Sequence, residues 1–302
     1  MKKIKSNNEP KIVVILGPTT SGKSGLGIKL AKKFSGEIIS ADSRQVYKGM
    51  NIGTGKVTKK EQRLVRHHLL DVAVPKKVFT VSDFKKLGQK VINDVEHRYK
   101  TPFIVGGTGF YIDALVKDAS LPEVPPNKKL RLKLEKMSAE TLYKKLQRLD
   151  PKRGQTIDRH NKRRLIRALE IINATGKPVP KLVSSIKYQV LWLGLRPKNL
   201  ANKIKLRLEA RLRQGMVGEV RGLLKKGVSR KRLYDLGLEY RWVGDYLNKK
   251  ITRQELEEGL LRDIIKYSKR QMTWFKRNKE IHWIENKKEA EKLVRKFIYP
   301  LP

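Results

Sequence analysis

The sequence predicts an α/β fold, a parallel β-sheet flanked by helices and interrupted by an all-helical insertion. Three observations carry this. Short β-branched runs, closed by glycine or an acid, alternate with stretches of helical period, the pattern of a parallel sheet covered by helices. The first such run enters Gly17-Pro18-Thr19-Thr20-Ser21-Gly22-Lys23-Ser24, whose spacing fits a phosphate-cradling P-loop between a strand and a helix. Between about residues 118 and 187 the strand signal is absent until the very end, and the chain is helical and densely basic behind the proline-rich boundary LPEVPPN (121–127).

Each element has its local reason. KIVVILG (11–17) is short, β-branched and uniformly apolar, as a buried parallel strand requires. Residues 22–34 follow as a helix with Leu26, Leu30 and Phe34 on one face, and EIISAD (37–42) is a second strand ending on an acid. VSDFKKLGQKVINDVEHRY (81–99) is helical, with Ser82 or Asp83 as its cap. TPFIVGG (101–107) is a third strand, opened by proline and closed by two glycines. Residues 128–175 are helical, YQVLWLGL (188–195) returns to the sheet, 197–277 is helical again, and IHWI (281–284) is a last short strand. The resulting layout is a catalytic core of residues 1–117 and 188–302, with the insertion at 118–187.

Composition narrows the partners. The 302 residues are 39% hydrophobic, and 70 Lys plus Arg against 29 acidic residues give a net charge of +41. Such a field draws polyanions from a distance and binds phosphate backbones by counterion release, so a nucleic acid is the expected partner. With no cysteine, disulfides and thiolate zinc sites are excluded. No apolar run approaches the roughly 20 residues that span a bilayer, and MKKIKSNNEPK has no apolar stretch of the kind a secretory signal carries. A soluble, cytoplasmic protein without a membrane partner is expected.

The chemistry concentrates at strand ends. Gly17 and Gly22 let the loop 17–24 curl so that backbone N–H groups converge on a diphosphate. Lys23 adds a point charge, and the Ser24 hydroxyl suits Mg²⁺. Asp42 ends the second strand, placed to hold a metal through water or to act as a base, and Asp71 in HHLLDV is a weaker candidate. ADSRQVYKGMNIGTGK (41–56) and VGGTGFYIDAL (105–115), with Thr108 at a helix start, lie beyond carboxyl ends of strands, where open α/β sheets bind ligands. RHNKRRLIRALEI (159–171) and YSKRQMTWFKRNK (267–279) set basic residues beside apolar or aromatic ones, which suits phosphate contact and base stacking as well as ordinary helix packing. These patterns leave kinase, hydrolase and other transferase equally open.

Together the segments resemble one family, the bacterial tRNA dimethylallyltransferases. GPTTSGKS, ADSRQVYKGMNIGTGK, HHLLDVAVP with VSDF after it, VGGTGFY, RRLIRALEIINATGKP, Glu219-Val220 and KRQMTWF occur in that order. The resemblance implies transfer of a dimethylallyl group from dimethylallyl diphosphate to N6 of the adenosine 3′ to the anticodon, in tRNAs reading codons that begin with U. It implies that Gly17, Pro18, Thr19, Thr20, Ser21, Gly22, Lys23 and Ser24 hold the diphosphate, with Mg²⁺ on Ser24. Asp42 is then the general base, and Thr108 lies near the transferring group. Contacts to the tRNA anticodon stem-loop fall to Asp42, Ser43, Arg44, Gln45, Thr108, Arg163, Arg164, Leu165, Ile166, Arg167, Arg270, Gln271 and Trp274. A monomer without an obligate protein partner is expected. Prenylation of free adenine nucleotides and an RNA-stimulated NTPase are the alternatives.

One departure matters. Members of the family carry an arginine a few residues before a Gly-Tyr-Arg/Lys segment, and it assists at the diphosphate. Here RLYDLGLEYRWVGDYL places Leu236 at that position and Glu239 where the glycine would be. Arg232 and Arg241 are the nearby arginines available to substitute.

Overall fold

The computed structural model describes residues 9–118, 122–180 and 186–300. They form two compact units, one of residues 9–118 and 186–300, the other of residues 122–180. The N-terminal stretch 1–8, the boundary segments 119–121 (with Leu121 of the proline-rich linker) and 181–185, and residues 301–302 lie outside the described residues.

In the first unit the chain runs β1 (Lys11–Leu16), α1 (Lys23–Lys33), β2 (Gly36–Ala41), α2 (Lys59–Leu64), β3 (His67–His68), α3 (Val81–Glu96), β4 (Thr101–Gly106) and α4 (Gly109–Val116). The second unit holds α5 (Lys128–Glu135), α6 (Ala139–Leu149), α7 (Pro151–Thr156) and α8 (Lys162–Thr175). The first unit resumes with β5 (Gln189–Leu195), α9 (Leu200–Arg213), α10 (Met216–Lys225), α11 (Arg230–Leu236), α12 (Leu238–Leu247), α13 (Arg253–Phe275), β6 (His282–Ile284) and α14 (Lys287–Ile298). Asp118 and Lys187 belong to this unit, their side chains paired at 2.7 Å. They therefore lie just outside the insertion rather than at its two ends.

The six strands form one sheet in the order β3-β2-β4-β1-β5-β6, with every pairing parallel. β1 and β4 are central and apolar on both faces. Ile12, Val14 and Leu16 enter one core with Phe84, Ile112 and Trp192. Val13 and Ile15 enter the other, with Leu30, Phe34, Phe103 and Val294. A third core joins α9–α13 to Val46, Tyr47 and Met50, which follow β2. Because all strands run one way, their carboxyl ends share an edge, and the register sets Leu16 beside Gly106 and Gly106 beside Ala41. The loops after β1, β2 and β4 therefore meet there.

The opposite edge is closed by charge. Glu37, at the start of β2, is 1% exposed and accepts from Arg98 and Lys100 at 2.8 and 3.0 Å, with His68 Nε2 at 2.7 Å. Burial alone raises its carboxyl; the hydrogen bonds from His68 and Lys100 and the Arg98 charge outweigh it and hold it below the usual range.

Local details differ from the sequence expectation for physical reasons. α3 is capped by Thr80, not Ser82 or Asp83: its hydroxyl accepts from the Asp83 N–H at 3.1 Å, and Asp83 accepts in return from the Thr80 N–H at 2.8 Å. β3 is two residues long, too short for alternation to register. α14 joins the sheet-facing core through Ala290 and Val294, both fully buried.

The second unit is a small helical bundle built on Leu134, Leu142, Leu146, Leu165, Leu169 and Ile172. Leu165 and Ile166 are 0% and 7% exposed, so their side chains pack the bundle instead of offering tRNA contacts. Arg167 is likewise engaged: it donates to Glu170 at 2.6 Å and to the Val124 carbonyl at 2.9 Å. Burial raises the Glu170 carboxyl, but Arg131, Arg167 and the Asn127 N–H outweigh it and hold it down at about 2. Arg163 and Arg164, on the outward side of α8, are exposed.

Candidate active site

The loop between β1 and α1 has the form that its glycines foretell. Gly17 is packed so tightly that an added Cβ would lie 2.7 Å from Ser21 Oγ and 3.0 Å from the Leu195 carbonyl. Thr20 and Gly22 take positive φ of 64° and 86°, the left-handed conformation that turns the chain back over β1. The Ser21 N–H and the Lys23 ammonium both donate to the Pro18 carbonyl, at 3.3 and 3.2 Å. Gly22 caps α1 without a side-chain acceptor, so the first-turn N–H groups remain available to an anion.

Gln271 staples this loop to the rest of the edge. Its Oε1 accepts from the Thr19 N–H at 2.9 Å, and its Nε2 donates to the Gly107 carbonyl at 2.8 Å. At 7% exposure with both ends of its amide engaged, Gln271 positions the loop and is not a free tRNA contact. Trp274, one turn further along α13, donates from its indole N–H to Asp113 at 2.7 Å and packs over Gly109, where an added Cβ would lie 2.3 Å from the ring. It locks α13 to α4 instead of presenting a stacking face to the cavity. Arg270, on the same helix, is exposed and lines the cavity.

That cavity, of about 550 Å³, gathers Thr19, Lys23 and Ser24 from the loop with Asp42, Ser43, Arg44 and Gln45 from beyond β2. Asp42 Oδ1 accepts from the Arg44 and Gln45 N–H groups at 2.8 and 3.3 Å, an Asx-type turn that fixes the carboxylate. Neither bond uses Oδ2. Thr108 binds the next residue: its hydroxyl accepts from the Ser43 N–H at 3.1 Å, and its own N–H donates to the Ala41 carbonyl at 3.2 Å. Thr108 thus buttresses the Asp42 turn from just behind the cavity wall. Arg44 donates to the Leu236 carbonyl at 2.7 Å, and Gln45 to the Thr54 and Gly55 carbonyls at 3.5 and 3.4 Å. Gln45 also accepts from Ser40 at 3.2 Å, so its amide is spent on holding segment 41–56 together.

The facing wall comes from α9 and α12. Arg207 and Arg211, one helical turn apart, converge on Gly55, where an added Cβ would lie 2.5 and 2.0 Å from their guanidinium nitrogens. Arg211 also donates to the Gly53 carbonyl at 3.2 Å and to Glu239 at 3.1 Å. Burial lowers the Lys23 ammonium to about 8; Asp42 opposes the shift, while Arg207 and Arg211 add to it. Burial likewise brings Arg207 down to about 10, helped by Arg211. Burial raises the Glu239 carboxyl, against the pull of Arg211. Cations thus crowd the cavity, a state that a bound polyanion relieves.

Several motif residues prove to be supports. Glu219 accepts from the Asn51, Ile52 and Gly53 N–H groups at 2.7, 2.7 and 3.1 Å and from the Tyr240 hydroxyl at 2.9 Å, fixing the NIGTG loop. Asp71 pairs with Lys56 at 2.6 Å and is not among the cavity-lining residues, so it is no catalytic acid. Arg232 is committed to the Pro75 and Lys77 carbonyls and the Tyr47 hydroxyl, at 2.7, 2.8 and 2.8 Å, which removes it as the substitute arginine. Arg241 does line the cavity, but it is paired with Asp263 at 2.5 Å. Nothing in the motif pattern marks Arg207 or Arg211; the available signal is an arginine pair at i, i+4 flanking the apolar stripe Ile204, Leu208 and Leu212.

The donor set fits magnesium. Ser24 offers a hydroxyl inside the cavity, and among the described residues no group of three or more His, Cys, Asp or Glu gathers to cage a metal. Mg²⁺ commonly takes one or two protein ligands and completes its shell with water and phosphate oxygens.

Comparison with known proteins agrees with this geometry. The family model described as IPP transferase matches residues 45–278. The tRNA dimethylallyltransferases of Caldanaerobacter subterraneus subsp. tengcongensis and Pelotomaculum thermopropionicum are each 38% identical to this chain over 299 residues, covering 94% and 95% of it and 95% of their own length. The crystal structure of the full-length tRNA isopentenylpyrophosphate transferase from Bacillus halodurans matches with a TM-score of 0.71 and 34% identity over 96% of each chain. A eukaryotic dimethylallyltransferase acting on tRNA matches with a TM-score of 0.83 and 25% identity, over 97% of this chain and 80% of its own. A P-loop edge joined to Asp42 in one basic cavity, within a chain matched over nearly its whole length, settles the assignment: the chain belongs to the IPP transferase family.

Proposed function

We propose that the chain transfers the dimethylallyl group of dimethylallyl diphosphate to N6 of the adenosine 3′ to the anticodon of tRNA, releasing diphosphate. One observation carries the reading: a diphosphate cradle and a carboxylate with a free oxygen share a single cavity of about 550 Å³.

The chemistry divides between the two ends of that cavity. The bond from the allylic carbon to the diphosphate oxygen breaks with its electron pair leaving on oxygen, and a carbon–N6 bond forms. The loop N–H groups and Lys23 lie where negative charge grows, so they stabilise the departing diphosphate more than the intact donor. Ser24 would hold magnesium, which when bound would supply further positive charge against the departing diphosphate. The adenine amine is a weak nucleophile because its lone pair is delocalised into the ring. Asp42 Oδ2 takes its proton as the new bond forms, while the Oδ1 turn and Thr108 keep the carboxylate aimed. To reach that position the base must leave its stack. Arg44, Arg270 and the exposed Arg163 and Arg164 supply positive charge for the tRNA backbone.

Labelled dimethylallyl diphosphate supplied with unmodified tRNA, AMP or ATP tests the reading. Label entering tRNA supports it; label entering only the free nucleotides overturns it.

A further inference from the structure

We propose that the Tyr267 hydroxyl donates a hydrogen bond to a ring nitrogen flanking the reactive amine of the acceptor base, N1 or N7, and so selects adenine beside Asp42. The proposal rests on reading the cavity as the site of transfer to N6.

Tyr267 comes to the site on α13, one face of which follows the turn after β4 residue by residue. Tyr267, Gln271 and Trp274 stand at i, i+4 and i+7, on that one face of the helix. Gln271 donates to the Gly107 carbonyl at 2.8 Å, and Trp274 packs over Gly109. Between them the Tyr267 hydroxyl is hydrogen-bonded to that of Thr108. The half-buried phenol lines the cavity together with Asp42. The Arg270 guanidinium lies 5.8 Å from its ring centroid, a cation–π contact that steadies the ring.

Counting protons gives this pair of hydroxyls a direction. Thr108 Oγ1 already accepts from the Ser43 N–H at 3.1 Å, and Thr108 is not among the residues lining the cavity. Its own proton, turned away from the cavity, therefore has the Tyr267 oxygen as its partner, which leaves the phenolic O–H to donate into the cavity. Donation from Thr108 polarises that O–H and strengthens it as a donor. Burial pushes the Tyr267 hydroxyl up to about 12, and the nearby Asp42 carboxylate adds to the rise, so the proton is retained at neutral pH. The cavity thus sets a donor, the Tyr267 O–H, near an acceptor, Asp42 Oδ2. Adenine offers the complement, an N6 amine that donates beside ring nitrogens that accept. Guanine carries an oxygen in place of that amine and would meet Asp42 with like polarity.

The test uses the full-length protein, dimethylallyl diphosphate and anticodon stem-loop RNAs with adenosine, 1-deazaadenosine or 7-deazaadenosine at the target position. Transfer is read in single turnover with enzyme in excess. With wild type, one analogue should react about 5- to 100-fold more slowly than adenosine, the range for a buried group left without its hydrogen bond. Which analogue it is identifies the nitrogen. Tyr267→Phe keeps the ring and removes only the hydroxyl, and it should slow adenosine and the other analogue by a similar factor. It should leave the sensitive analogue no slower than with wild type, because the bond is already gone. The intrinsic reactivity of each amine is common to both proteins and cancels in this comparison. Pyrophosphate affinity should stay within threefold. A hydroxyl that only braces Thr108 would slow all three RNAs equally, and that result overturns the proposal. Wild type that treats both analogues like adenosine overturns it too, without need of a folded variant. Wild type that modifies no adenosine in the RNA overturns instead the reading of transfer on which the proposal rests.

Discussion

Replacing Asp42 with asparagine separates the two jobs its carboxylate performs. Oδ1 holds the turn by accepting from the Arg44 and Gln45 N–H groups at 2.8 and 3.3 Å. An asparagine amide oxygen can accept both, and the opposite flip would point NH₂ at two N–H donors, so the turn should survive. Oδ2 becomes an amide nitrogen and can no longer take a proton from the adenine amine. The loss should be that of a general base, about 10²- to 10⁴-fold in the chemical step, or about 2.7–5.5 kcal/mol of barrier. Binding should move the other way for the donor end. Asp42 is an anion beside Lys23, so removing its charge should leave pyrophosphate affinity equal or higher. Single-turnover dimethylallylation of tRNA with enzyme in excess reads the chemical step, and calorimetry with pyrophosphate reads the ground state. A variant within threefold of wild type in single turnover would remove Asp42 from the base role. A comparable fall in pyrophosphate affinity would show that the turn had collapsed instead.

Three further outcomes follow from the supports around the site. Gln271→Leu leaves the Thr19 N–H and Gly107 carbonyl without partners, a cost of about 1–3 kcal/mol for each buried group; the melting temperature should fall by several degrees and pyrophosphate affinity at least about tenfold, and an unchanged affinity would deny the loop-positioning role. Lys23 titrates at about 8, and the protonated form is the one that attracts the diphosphate. Pyrophosphate affinity should therefore fall as pH rises through about 8, by up to about tenfold per unit, relative to Lys23→Arg, whose charge persists; parallel profiles for the two proteins would contradict this. Glu219→Gln keeps one accepting oxygen of two, so either the Asn51 and Ile52 N–H groups or the Gly53 N–H and Tyr240 hydroxyl lose their acceptor; a destabilisation of about 1.5–3 kcal/mol is expected, read by chemical denaturation, and a change below about 0.5 kcal/mol would show that water replaces the lost bonds.

What the sequence discloses is what is local. The strand-loop-helix from Lys11 to Lys33 is legible because every feature, from the β-branched run to the two glycines and the basic pair Lys32 and Lys33 in the last helical turn, acts within a few residues. The shared edge that brings Gly17, Asp42 and Thr108 together also follows from the alternation of strands and helices. The closing wall does not. Arg207 and Arg211 reach Gly55 and Gly53 across some 150 residues of chain, and no spacing rule announces which face of α9 is turned to the cavity. Residues that look like recognition elements, Gln45, Gln271 and Trp274, turn out to be hydrogen-bonded braces, because a polar or aromatic side chain in a motif serves geometry as readily as ligand contact. Conversely Glu219, a bare acid in the sequence, organises three backbone N–H groups that only the folded chain brings within reach.

The most direct test of the account is mass analysis of tRNA nucleosides before and after incubation with the protein, magnesium and dimethylallyl diphosphate. The account predicts that the adenosine 3′ to the anticodon gains one dimethylallyl group, with one diphosphate released for each group transferred and none gained with Asp42→Asn at equal times. Unmodified adenosine in the presence of a folded, pyrophosphate-binding protein would contradict it.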